Sequence, residues 1–495
     1  MLTDALKRLT KHSIVYALGP AAQKAIGFLL LPLVTAYIGT TANYGVVEMA
    51  AVTLAVAGQL FGINLLHGMT RYHAEYASEE ERGRLVTTCL ILLAATTGTA
   101  LGVALFFRET GAALLFGSSG YQDALVVVAA ILFLQTLGQV GLRWLQILER
   151  SVAYGVLTTV KTALEVGLKV WLLVGLGLTF MGVLYSVLGG ELAVAAGMTV
   201  WIVRRLGLSF SWPMAKRLIR YSYPLILSGL CMFVLHQADR WFVLRWHGQG
   251  EVGLYGLAYK LGSMANAVVF DAFGLIWFPF IFGVRDPEAV RRICRAVLTY
   301  LSLIMCFVSL ALAVFSAEIV RVMAAHEFFE SHRAMPVVVA GYLCWAVFQI
   351  VHTGFYLRER TGLVSALVGG AAALNLALNR ILVPEHGYMG AAWATLATFA
   401  ALAIASWVLA ERLMPVGYEI RRVVVPIVLS ALLFLASQRI PADLGAAALA
   451  AKAALVLALP AILRAGGYLR PEEKAKIGQM RRDLVSRIRR PPGPA

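Results

Sequence analysis

The sequence predicts an all-α polytopic membrane protein: about 14 transmembrane helices, two six-helix lobes around a central cavity, and two C-terminal helices. Three observations carry this. The 495 residues are 60% hydrophobic and only 14% charged, with a mean hydropathy of +0.76. A water-soluble domain of this length has no room to hide so much apolar surface. Apolar stretches near the length needed to cross a bilayer recur along the chain, and the Lys and Arg between them fall mostly on one side.

Taken in order, the spans read Ser13–Tyr37, Val46–Leu66, Leu85–Phe107, Ala124–Leu142, Tyr154–Leu176 and Phe180–Val203. A second set runs Tyr221–Leu244, Val252–Phe282, Ala296–Phe315, Met335–Leu357, Leu363–Val383 and Tyr388–Ala410. Pro224 and Gly229 read as breaks in the seventh span. A weak span, Val423–Ser437, and a clearer one, Leu444–Leu463, follow. The expected domains are residues 1–203 (first lobe), 204–220 (basic linker), 221–412 (second lobe), 413–465 (two added helices) and 466–495 (basic tail).

The net charge of +16 follows the topology. With the N-terminus inside, roughly 31 Lys and Arg lie on the cytoplasmic side and about 5 on the other, so both termini are expected in the cytoplasm. Lys7, Arg8, Lys11, Arg204, Arg205, Lys216, Arg217, Arg291, Arg292, Arg421, Arg422 and the tail from Arg470 to Arg490 make up much of that inside set. Such clustering suits lipid headgroups and argues against nucleic acid. The five cysteines are scattered through apolar runs, so neither a metal site nor a disulfide framework is expected. The N-terminus lacks a signal-peptide pattern, and the first span is read as retained.

Three local similarities recur in the same order in the two halves. Tyr16 and Pro20 precede a loop ending in Tyr44-Gly45, as Tyr221 and Pro224 precede one ending in Tyr255-Gly256. LLFGSSGYQDAL, around Tyr121 and Ala124, corresponds to RVMAAHEFFESHRAM, around Phe329 and Ala334. FMGVLYSVLG from Phe180 resembles YMGAAWATLA from Tyr388. An even number of crossings per repeat gives both halves the same orientation, facing each other across a cavity.

With ADRWFVLRWHGQGEVGLYGLAYKL opening the second lobe and FGINLLHGMTRYHAEY closing the second span, the chain resembles the polysaccharide transporter branch of the multidrug/oligosaccharidyl-lipid/polysaccharide (MOP) exporter superfamily. That branch holds the Wzx-type O-antigen flippases, with MurJ and MATE exporters as relatives. The resemblance extends to about Arg412; its motifs are degenerate and say little of the substrate. It implies an inner-membrane flippase of bacteria, moving an undecaprenyl-diphosphate-linked oligosaccharide from the cytoplasmic to the periplasmic leaflet by alternating access, for lipopolysaccharide or related surface polysaccharide. Implied partners are membrane lipids and the polysaccharide polymerase and ligase machinery, around a monomeric transporter.

Intramembrane charges cost roughly 2.5–3.5 kcal/mol each on insertion scales and so mark candidates. Lys24, Arg71, Lys161, Lys169, Arg240 and Lys260 are the candidate cavity cations for an anionic head group. Lys24, mid-span, is the foremost of them. Lys161, Glu165 and Lys169 share one face of the fifth helix, equally readable as a self-neutralising ladder. Lys260, Arg380 and Lys452 lie nearer span ends, where snorkelling is the plainer use. Arg71 reads equally as a head-group guide or a positive-inside anchor. Asp271, Glu191 and Glu165 are candidates for coupling to a proton or sodium gradient, the membrane potential being the other energy source. Asp239 and Arg240 read as an ion pair near the periplasmic mouth and as gate candidates. Asn375 and Asn379 share a face of the eleventh span.

No G-x-x-x-x-G-K-[ST] loop is present, so nucleotide hydrolysis by that route is not expected, nor are a cofactor or catalytic residues. Two rivals stay open. The loop from Ser316 to Ala334, with Glu318, His326, Glu327 and His332, gives a membrane glycosyltransferase or polymerase its best acid/base groups. A MATE-like drug exporter is the nearer rival, though mid-span cations favour an anionic head group.

Overall fold

The computed structural model describes residues 24–62, 64–441, 445–468 and 470, with all side chains except those of residues 271, 272 and 275. Among them the regular elements are all helices, and ten are long and apolar enough to cross a membrane. The all-α membrane fold is therefore what the protein has. Most of the first predicted span, including Tyr16 and Pro20, lies outside the described residues, as do both termini and nearly all of the basic tail.

The first half comprises α1 (Leu31–Tyr37), α2 (Thr41–Phe61), α3 (Leu65–His73), α4 (Glu79–Phe106), α5 (Arg108–Phe116), α6 (Gln122–Ile147), α7 (Ser151–Val170) and α8 (Phe180–Leu206). Local chemistry sets the boundaries. Gly39 turns the chain at φ 89°, and the Thr40 side chain caps α2 by accepting from the Asn43 N–H at 3.1 Å. Ser78 caps α4, and Glu79, Glu80 and Glu81 fill its first turn, where carboxylates meet the positive end of the helix dipole. α7 is not among the ten because its three charged residues lower its hydropathy; it continues as a π-helical turn, Trp171–Gly175.

The second half comprises α9 (Trp212–Gln237), α10 (Asp239–His247), α11 (Gln249–Gly262), α12 (Ala272–Gly283), α13 (Pro287–Val314), α14 (Ser316–Met323), α15 (Met335–Val351), α16 (Thr353–Leu357) and α17 (Thr361–Leu413). α9 takes up the second part of the basic stretch 204–220 and runs unbroken through Pro224 and Gly229. The expected breaks are absent. A proline deletes one backbone donor, which a long packed helix tolerates, and Gly229 instead makes room for the Gln59 amide of α2. The eighth span is the interrupted one, turning at Ser263 and passing through a π-helical segment, Ala267–Asp271, before α12. α17 holds two helices joined at Gly387, whose φ of 57° is non-helical. α18 (Ile420–Ser437) and α19 (Ala446–Ala465) follow, and the weak thirteenth span is thus a full helix.

The halves repeat each other in detail. A short helix and a 3-10 turn sit between α4 and α6 and again between α13 and α15. Gly39 and Gly248, both at positive φ, precede α2 and α11. Glu149 and Glu359, in LER and RER, each adopt φ 56°, and the next Arg N–H donates back to the carbonyl of Leu145 or Phe355. A left-handed glutamate at one helix-to-helix turn is uncommon; the same one at both is a structural repeat.

α6 packs on α4 and α8, and α15 on α13 and α17; α18 and α19 pack against α13. The two sets meet chiefly along α2 and α11, and α3 packs against α9.

Candidate functional site at the seam between the halves

Tyr44-Gly45 and Tyr255-Gly256, the repeated dipeptides, meet at the seam. A β-carbon on Gly45 would fall 2.0 Å from the Gln249 carbonyl oxygen, and one on Gly253 2.0 Å from that of Thr41. One on Gly256 would fall 2.4 Å from Cγ of Glu48. Only glycine permits this approach, so α2 and α11 touch backbone to backbone. Each half also caps the other. Gln249 Nε2 donates to the Phe116 carbonyl at 2.8 Å, Ala325 N–H donates to Thr35 Oγ1 at 3.2 Å, and Phe328 meets Tyr44 edge to face. In this arrangement the Gly45 end of the seam is shut.

Just inside that contact lies a buried charged knot. Arg240 Nη1 lies 3.1 Å from Asp239 Oδ1, and its Nε lies 3.6 Å from Oε2 of Glu48 on the opposite half. The guanidinium stands over the Tyr255 and Tyr259 rings at 5.4 and 4.4 Å. Asp239 Oδ2 accepts from the Tyr255 hydroxyl and from Thr395 Oγ1. Asp239 is 1% exposed, so these donors replace the water its carboxyl group has lost. Lys260, one residue beyond Tyr259, lies within electrostatic range of Glu48.

Beyond the knot a cavity of about 700 Å³ opens between α2, α3 and α9. Its polar wall is Gln59, Asn64, His67, Ser228, His236 and Gln237, with Tyr221 at the far end. These side chains offer neutral donors and acceptors of the kind that hydrogen-bond sugar hydroxyls. None of the six candidate cations lines this cavity among the described residues. At the far end the halves close again: Ser222 Oγ donates to the Asn64 carbonyl at 3.0 Å, Gly68 abuts Leu218, and Arg217 pairs with Glu75 at 2.7 Å.

The other candidates are placed as follows. Lys24 is exposed at the start of the described residues. Arg71 is exposed near Glu75, at 3.5 Å, and over the Tyr221 ring. Lys161 Nζ lies 2.6 Å from Glu191 Oε1 on α8 and 3.5 Å from Glu165 Oε1 on its own helix. Glu191 thus finds its counter-ion on the neighbouring helix. Lys169 is half-buried, within electrostatic range of Glu165 and of Lys260. Asp271 lies in the π-helical segment, and its side chain is outside the described set. Lys452 pairs with Glu318 at 2.5 Å, Arg380 stands over Trp246, and buried Asn379 donates through Nδ2 to Oδ1 of buried Asn375 at 3.0 Å.

Sequence reasoning passed over Glu48, which lies inside the second predicted span and joins the halves. The insertion-cost argument that picked out Asp271 applies equally to Glu48. It also missed Gly253, whose signal is the GEVGLYG spacing of small residues.

No curated protein matches the chain. Among solved structures, the lipid II flippase MurJ in an inward closed conformation aligns over 93% of this chain and 100% of its own, with a TM-score of 0.73 at 10% identity. An inward-facing multidrug resistance MATE family transporter of the MOP superfamily aligns over 83% of this chain and 99% of its own, with a TM-score of 0.59 at 16% identity. At such identities these matches speak to fold alone. The sequence profile of the family described as "Polysaccharide biosynthesis protein" matches residues 9–284. That is more than half of the 495 residues, and the chain belongs to the polysaccharide biosynthesis protein family, with a fold similar to those of the two solved transporters.

Proposed function

We propose that the protein is a flippase. It moves a polyprenyl-diphosphate-linked oligosaccharide from the cytoplasmic to the periplasmic leaflet of a bacterial inner membrane by alternating access of residues 1–203 and 221–412. The observation that carries this is a polar cavity between the halves, bounded at one end by the Gly45–Gly253 contact and at the other by α3 against α9. A sugar head needs hydrogen-bonding walls and shelter from lipid, while the polyprenyl tail stays in the bilayer. The family's association with polysaccharide biosynthesis and the MurJ-like fold support the same substrate class. In this reading the termini and basic segments are cytoplasmic, and the Gly45 end is periplasmic. Lys24, Lys169 and Lys260 supply positive potential near the diphosphate. Glu165, Glu191 and Asp271 are the groups through which a proton or sodium gradient acts, if the membrane potential alone does not drive the cycle. The protein works as a monomer that hands its product to the polymerase and ligase machinery.

The test is leaflet translocation of a fluorescent polyprenyl-diphosphate-sugar in proteoliposomes. Movement of the probe supports the reading; transport of cationic dyes without movement of the probe favours drug export instead.

A further inference from the structure

Glu75, in the turn that follows α3, is shared by two arginines from opposite halves. Arg217 Nη2 of α9 lies 2.7 Å from its Oε2, and Arg71 Nη2 of α3 lies 3.5 Å from its Oε1. Aromatic rings hold both guanidiniums. Arg217 stands over Tyr72 at 4.4 Å and donates to the Tyr76 hydroxyl at 3.2 Å, and Arg71 stands over Tyr221 at 5.8 Å. Tyr72 and Tyr221 meet edge to face, and Tyr221 belongs to the cavity wall. The arrangement is reachable from outside, since Arg71, Arg217 and Glu75 have side chains 58%, 48% and 40% exposed. Arg240 and Lys161, by contrast, are engaged by carboxylates in the interior.

Two guanidinium forks converging on one pair of oxygens match what a phosphate group asks for, and a diphosphate carries more charge than a carboxylate. We infer that Arg71 and Arg217 form a clamp for an isoprenoid diphosphate, and that Glu75 occupies it in this closed arrangement. The inference rests on the flippase reading and adds regulation to it. An arriving diphosphate displaces Glu75 and takes over the bridge between Arg71 of α3 and Arg217 of α9, so loading frees the turn that carries Glu75 while the ligand itself spans the two halves.

The test uses the full chain in nanodiscs of zwitterionic lipid, with farnesyl diphosphate as the titrated probe. Glu75→Gln is expected to bind the probe about tenfold more tightly than the unaltered protein, because an internal competitor is gone. Adding Arg217→Gln to that variant is expected to abolish the gain. Thermal unfolding of each variant confirms that it is folded. Equal binding by Glu75→Gln, or a gain that survives Arg217→Gln, overturns the clamp. Full displacement of the probe by an equal amount of phosphatidylglycerol also overturns it, assigning the arginines to phospholipid headgroups. If the unaltered protein moves the lipid-linked sugar but Glu75→Gln binds no more tightly, the clamp falls and the flippase stands. If the clamp behaves as expected and no lipid-linked sugar is moved, the reverse holds.

Discussion

Glu48 of α2 and Arg240 of α10 face each other across the seam, with Oε2 of one 3.6 Å from Nε of the other. Arg240 is the only one of the two with a second carboxylate, Asp239, at 3.1 Å, and Asp239 is almost wholly buried. The partners should therefore respond unequally to removal. Arg240→Gln strands a buried carboxylate and is expected to cost about 3–5 kcal/mol, whereas Glu48→Gln leaves Arg240 paired and costs less. Thermal unfolding of the purified variants measures both. Equal losses would show that Asp239 does not depend on Arg240.

The glycines of the seam make a second prediction. A methyl group on Gly253 meets the Thr41 carbonyl at 2.0 Å, and backbone cannot step aside as a side chain can. Gly253→Ala is expected to destabilise the closed Gly45 end by about 1–3 kcal/mol, the usual cost of overpacking. Gly250→Ala, whose β-carbon meets Thr41 Oγ1 at an ordinary 3.5 Å, should cost far less. Labelling of single cysteines placed along this seam reads the difference as increased accessibility in Gly253→Ala alone.

Gly387 breaks α17 with φ 57°, and a β-carbon there would fall 2.3 Å from Oε2 of Glu251, which accepts from the Tyr388 N–H at 2.9 Å. That carboxylate caps the second helix of the pair from a neighbouring one. Gly387→Ala, strained in backbone and crowded by Glu251, is expected to lose more stability than Glu251→Gln, which forfeits a charged cap worth about 1 kcal/mol. Unfolding temperatures in the reverse order would contradict this account of the turn.

Lys161 and Glu191 join α7 to α8 inside the first half, only 16% and 4% exposed. Either single neutralisation, Lys161→Met or Glu191→Gln, is expected to lower stability by roughly 3–5 kcal/mol, and the double variant should recover much of it. Additive losses in the double-mutant cycle would mean that the pair is not coupled.

Much of the fold was legible in the sequence because bilayer crossing imposes length and apolarity on each helix, and Val423–Ser437 held even though it was weak. The two-half organisation was visible in Tyr44-Gly45 and Tyr255-Gly256, yet not that these dipeptides touch, since spacing along a chain does not report which helices cross. No break occurs at Pro224 in the seventh span, and the eighth span is interrupted at Ser263, where no proline announces it. Of the candidate site, the intramembrane charges could be found by their cost, while their partners could not. Glu191 is paired with Lys161, thirty residues away, and the cavity is walled by amides and imidazoles that no charge count singles out.

The most direct measurement joins the seam to transport. Thr41 and Gly250 lie close enough across α2 and α11 for a cysteine pair, and the double variant Thr41→Cys/Gly250→Cys can be oxidised and reduced in proteoliposomes. If the halves must part at this end to release a lipid-linked oligosaccharide, oxidation stops translocation of the fluorescent polyprenyl-diphosphate-sugar and reduction restores it. Undiminished translocation by fully cross-linked protein would contradict the account.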